Sequence, residues 1–122
     1  MRVSERLSEN FSVDEFRCPC CGKIEMYIGF IRKLQMARSI AGIPFIINSG
    51  FRCDAHNAAV GGSKSSSHEV GLAADIRVAS SSERFAVIFG LIRAGFTRIG
   101  VGKNFIHADS DQAKSQRIMW RY

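Results

Sequence analysis

Apolar positions along the chain change period several times, and each change marks an element. Between Tyr27 and Ala41, Ile28, Ile31, Leu34, Ala37 and Ile40 recur at helical spacing, and Gly42 and Pro44 close the segment. Phe45-Ile46-Ile47 reads as a short apolar strand. From Leu72 to Val78 the period drops to two: Leu72, Ala74, Ile76 and Val78 share one face, and Ala73, Asp75 and Arg77 the other. A second helix is opened by the capping box Ser80/Glu83, carries Phe85, Ile88, Phe89 and Ile92, and stops at Gly95. Ile99 to Val101 and Phe105 to Ala108 are short strands joined by Gly102-Lys103-Asn104, a hairpin pattern. Near the N-terminus, Ser12 with Glu15 forms another capping box beside Phe11 and Phe16. Phe51 to Val70, rich in Gly, Ser and Asn, reads as a long irregular loop of the kind a compact domain keeps for a use. Helices and strands mix without βαβ regularity. The pattern therefore predicts an α+β domain with a small, mostly antiparallel sheet flanked by helices.

Length and composition narrow the class. With 122 residues and 46% hydrophobic content, the chain is a single folded domain spanning 1–122 rather than a disordered or fibrous sequence. No apolar run approaches the roughly 20 residues of a membrane span, so membrane insertion is not expected. The start, Met-Arg-Val-Ser-Glu-Arg-Leu, lacks the apolar stretch and cleavage site of a signal peptide, which predicts a protein that is cytoplasmic as synthesised. A net charge of +6 favours polyanionic partners. The basic residues are scattered, however, with no block or aromatic interleaving of a nucleic-acid module, so a specific nucleic-acid partner is not expected.

Two groups of residues carry candidate chemistry. His68 closes a Ser-rich loop, Asp75 follows seven residues later on a strand among small apolar neighbours, and His107 sits mid-strand between Ile106 and Ala108. A carboxylate in such surroundings needs a cation or donors, since unpaired burial costs several kcal/mol. Two imidazoles and a carboxylate suit zinc and leave a fourth position open. The bland alternative stands beside it: hydrogen-bonded core histidines, with Asp75 paired to Arg77 or Arg52. The second group is Cys18, Cys20, Cys21 and Cys53. A zinc ribbon would want a second cysteine pair, which is missing. A second structural zinc, a disulfide from Cys53 to the N-terminal cluster, and reduced buried thiols all remain open, the last being the simplest.

Ordered motifs narrow the class further. Ser49-Gly50-Phe51-Arg52, Asn57, Val60-Gly61-Gly62, Ser66-Ser67-His68-Glu69-Val70-Gly71-Leu72-Ala73-Ala74-Asp75 and Phe105-Ile106-His107-Ala108-Asp109 resemble the zinc D-Ala-D-Ala carboxypeptidase family. Phage L-alanyl-D-glutamate endolysins and D,D-dipeptidases are its relatives, and the hedgehog signalling domain shares its fold. The small phage and bacterial branch, whose chains carry a Phe-x-x-x-Glu-Phe-x-Cys segment, is most similar, as in Phe11 to Cys18. The resemblance implies one Zn2+ held by His68, Asp75 and His107. It also implies a substrate-contacting, charge-stabilising Arg52, a substrate-binding Ser66, and hydrolysis of D-residue-containing peptides of peptidoglycan. The expected particle is a monomer, acting on the cell wall once released, for example as a phage lysin. Asn57, Gly61 and Gly62 are expected to shape the loop, the glycines through positive φ.

One position departs from the family pattern. The acidic residue expected three before the last ligand is Asn104, which cannot take a proton. Asp109, on the His107 side of its strand, is the substitute, either as general base or as an acceptor that orients a ligand. Glu69 and His56 are weaker candidates. A non-catalytic, zinc-stabilised wall-binding or virion module is the competing reading.

Overall fold

The computed structural model describes residues 5–63 and 65–122. Residues 1–4, part of the stretch read for a signal sequence, lie outside the described residues. A single 3-10 turn, Val13–Phe16, is followed by α1 (Ile28–Ala41), β1 (Ile47–Ser49), α2 (Asp54–Ala59), β2 (Ala73–Arg77), α3 (Ser81–Arg93), β3 (Arg98–Val101), β4 (Phe105–Asp109) and β5 (Ile118–Arg121). The five strands form one sheet in the order β1-β2-β4-β3-β5, antiparallel except where β5 runs parallel to β3. The predicted α+β class with a mostly antiparallel sheet is what the chain adopts.

Both capping boxes close helical turns. The Ser12 N–H donates to Glu15 Oε2 at 2.7 Å, and the Glu83 N–H to Ser80 Oγ at 3.1 Å. Each satisfies a donor that the first turn leaves without an intrahelical partner. One face of the sheet carries Ala74, Ile76, Ile99, Ile106 and Ala108, and it packs with Ile31 and Leu34 of α1 and with Val87 and Leu91 of α3. Burying each larger aliphatic side chain there contributes about 1.5–3 kcal/mol. The period-two reading of β2 holds: Ala74, Ile76 and Val78 are in the core, and Asp75 and Arg77 are on the opposite face.

Several expectations change. The strand read at Phe45-Ile46-Ile47 lies two residues further on, at Ile47–Ser49. The 51–70 segment is not wholly irregular, because α2 forms within it, capped by the Cys53 sulfur accepting the His56 N–H at 3.4 Å. Six residues without an apolar stripe give no helical period to read. The apolar residues singled out on α3 include three on its exposed side: Phe85 and Phe89 stack on each other in solvent beside exposed Ile92, while Val87, Gly90 and Leu91 face inward. Finally, β5 was not anticipated. It is a short edge strand with mostly exposed side chains, so little alternation marks it.

Candidate metal centre and its cleft

Strand register assembles the site on the sheet face opposite the helices. A row runs across the strands from Ser49 to Asp75, His107, Gly100 and Trp120, each residue paired with the next. Residues in register point to the same face, so neighbouring β2 and β4 bring Asp75 and His107 together without any loop contribution. His68 comes from the turn that precedes β2, held over the sheet by Arg52 N–H donating to His68 O at 3.2 Å.

Asp75 Oδ1 lies 3.0 Å from His107 Nδ1 and 3.3 Å from His68 Nε2. The candidate ligand atoms of the three residues are all within 4.8 Å of one another. What stands behind each ring tests whether a metal fits. His68 Nδ1 is 2.8 Å from Gly50 O, an atom that only accepts, so that nitrogen carries the proton. On a neutral ring, Nε2 then offers a lone pair towards the Asp75 carboxylate. Two electron-rich atoms at 3.3 Å need a cation or a proton between them. His107 is backed on its far side by Asp109, with Nε2 to Oδ2 at 2.7 Å. An imidazole whose second nitrogen is held by a carbonyl or carboxylate is the usual arrangement of a metal-binding histidine. The donor set fits zinc.

Without an ion, the charged groups of the site shift one another. Burial pushes the Asp75 carboxyl up, but hydrogen bonds with His107 and His68 outweigh it and hold the group below the usual carboxylate range. Burial lowers His107, yet Asp109 and Asp75 on either side raise it above an ordinary imidazole. Asp109 is likewise raised by burial and lowered more by His107, the Asp111 N–H and Arg98, for a net depression.

Around this centre lies a cleft of about 420 Å³. Arg52 lines it, with Nε on Ser49 Oγ at 3.0 Å, Nη1 on Asn57 Oδ1 at 3.3 Å and Nη2 on Asp75 Oδ2 at 3.2 Å. Of the two arginines considered for Asp75, it is Arg52 that pairs; Arg77 is exposed. Ser66 is buried at the rim, its Oγ accepting the His68 N–H at 3.2 Å. Asn57 is buried and braces the loop by donating to Ser63 O at 2.7 Å. Gly61 has the expected positive φ of 73°. Gly62 serves differently: a Cβ there would lie 2.0 Å from Asn57 Oδ1.

The remaining candidates lie elsewhere. Asn104 is exposed at the β3–β4 turn, and Glu69 accepts from Asn57 Nδ2 at 3.1 Å outside the cleft. His56 sits on α2, also outside it. Asp109 is nearly inaccessible, gripped by Arg98 Nε at 2.7 Å as well as by His107.

Sequence reasoning missed Arg98, Lys114, Trp120 and Tyr122, all of which line the cleft. Trp120 lies across Gly100, where a Cβ would come within 2.7 Å of the indole, and its ring centroid is 5.5 Å from that of His107. The Trp-x-Tyr pair at the C-terminus was the available signal, since two aromatics two apart on a strand share a face.

A convergent imidazole–carboxylate–imidazole set beside a guanidinium, at the floor of an open cleft, is the equipment of a metallohydrolase. The comparison with known families agrees: the family model described as Peptidase M15 matches residues 9–109, and the chain belongs to that family of zinc-dependent peptidases. No individual curated protein matches the chain closely enough to add to this. The matched span includes every candidate ligand but ends before β5 and its aromatic wall. Among the described residues, no helix is long and apolar enough to cross a membrane.

Proposed function

We propose that the chain is a zinc-dependent peptidase hydrolysing D-residue-containing peptide bonds of bacterial peptidoglycan, as a D,D-carboxypeptidase or an endolysin-type endopeptidase, and that it works as a monomer. The observation that carries the reading is the facing of His68 Nε2 and His107 Nδ1 on Asp75 Oδ1, each ring backed on its other nitrogen. His68, Asp75 and His107 would hold the ion. The chemistry such an ion supplies is polarisation of the scissile carbonyl and acidification of a water molecule.

The chain's own residues do the rest. Arg52, braced at three nitrogens, presents a permanently charged fork to the substrate carbonyl as negative charge grows on its oxygen. Ser66 offers a hydroxyl to the peptide backbone. Arg98 and Lys114 line the cleft, paired with Asp109 and Asp111, and Trp120 and Tyr122 give it an apolar wall. Asp109 holds the His107 ring in place, and among the described lining residues only it and Asp75 carry carboxylates to receive a proton.

Incubating the protein with purified peptidoglycan and zinc tests the proposal. New amino termini should appear, and vanish with a chelator and with His68→Ala. Zinc bound tightly with no release would instead support a non-catalytic wall-binding or virion module, which the exposed Asn104 and the fully engaged Asp109 favour.

A further inference from the structure

We propose that Cys18, Cys21 and Cys53, with Cys20 beside them, form a second zinc site that fastens the N-terminal segment to the loop carrying Arg52. Cys53 comes from 35 residues beyond Cys18 in the chain, yet their sulfurs are 3.6 Å apart, and the Cys20 sulfur is 3.7 Å from that of Cys53. The sulfurs of Cys18, Cys21 and Cys53 all lie within 4.8 Å of one another. Metal–sulfur bonds of ~2.3 Å in a tetrahedron place sulfurs about 3.8 Å apart, so these separations match the edges of a zinc–thiolate site. A disulfide would join two sulfurs and give no reason for the convergence of the others.

The backbone is shaped for the same purpose. Cys18 and Cys21 have the two-residue spacing of a zinc-binding cysteine pair. Their loop is closed by Gly22, at φ 73°, whose N–H donates to Cys18 O at 2.8 Å, and by Cys18 N–H donating to Lys23 O at 2.8 Å. The backbone amides of Cys53, Cys21 and Cys20 are aimed at the Cys18 sulfur, a setting that suits a thiolate ligand.

The consequence reaches the other site. Cys53 adjoins Arg52 and caps α2, and the Phe51 N–H donates to Phe16 O at 2.9 Å. A zinc at the cysteines would hold this junction closed and keep the Arg52 loop over Asp75.

Metal analysis of the protein purified under reducing conditions without chelator tests the site directly. Two zinc ions per chain are expected, falling to one in Cys53→Ser and to one in His68→Ala. Cobalt exchanged into His68→Ala should show thiolate-to-cobalt charge-transfer absorption in the near ultraviolet, absent from Cys21→Ser. Should the cysteine variants fail to fold, titrating the native protein with an organomercurial should release one zinc per chain as the thiols react. A single zinc that disappears with His68→Ala, no charge-transfer band, or a Cys18–Cys53 disulfide in peptides mapped without reductant would overturn the proposal. Because the cobalt band is read in a His68 variant, absence of peptidase turnover leaves this test intact.

Discussion

The two candidate metal centres are built in opposite ways. Asp75 and His107 stand on adjacent strands in direct register, with a sheet and an apolar core behind them. The cysteines meet where two irregular segments touch, and Cys20 and Cys21 are exposed. Regular structure can hold ligands in place before any ion arrives, because backbone hydrogen bonds and core burial have already met the entropy cost. Loops lack that support and depend on the ion for their geometry. The first arrangement suits a reactive metal, and the second a fastening one.

Breaking each centre should therefore have different consequences. The largest effect is expected on activity: His68→Ala or His107→Ala should reduce peptide hydrolysis to background with the fold retained. Arg52→Ala should lower kcat by about 10²–10³-fold with zinc content unchanged, as expected for loss of an oxyanion partner. A circular-dichroism melt alongside both assays would separate lost chemistry from lost fold.

Next in size is the stability arm of the comparison. Cys53→Ser should lower the melting temperature by roughly 5–10 °C and speed amide exchange around residues 16–24 and 51–54, because a bound ion stabilises by mass action and local opening follows its loss. Unchanged exchange there would mean that the cysteines fasten nothing.

Asp109→Asn sharpens the site itself. It should weaken zinc binding about 10–100-fold, the usual effect of removing a group that orients a ligand. Activity recovering at saturating zinc identifies Asp109 as a support for His107; activity lost with zinc fully bound identifies it as the proton acceptor.

The smallest effect concerns the sheet centre without metal. His107 is raised in the fold, so its contribution is complete below the ordinary imidazole value of 6.5 and is lost as pH rises through the raised one. Asp75 is depressed, so its contribution is complete above the ordinary 3.8 and is lost as pH falls through the lowered one. The chelated protein should be most stable between those two values and lose a few degrees in melting temperature above them. His107→Gln should remove the alkaline fall, read in melts across pH.

How far each centre could be read in advance follows from where its information lies. A strand's period is local, so the placing of Asp75 away from Ala74 and Ile76 was legible in seven consecutive residues. The ordered Ser-x-His and His-x-Asp motifs were legible for the same reason, and with them the family. The limited burial of β5 left no comparable pattern around Ile118. Its Trp120 reaches the cleft only because Gly100, on another strand, has no side chain.

The chain's own order of residues thus determined the α+β architecture, the face of β2 and β4 that carries Asp75 and His107, and the ligand types available to a metal. Periodicity and side-chain chemistry are properties of neighbouring residues. Tertiary structure alone decided that Asp109 is gripped between Arg98 and His107, that Arg52 rather than Arg77 meets Asp75, and that Cys53 closes on the N-terminal cysteines. Those pairings join segments distant in the chain, and they form only when burial of the shared core brings the segments together.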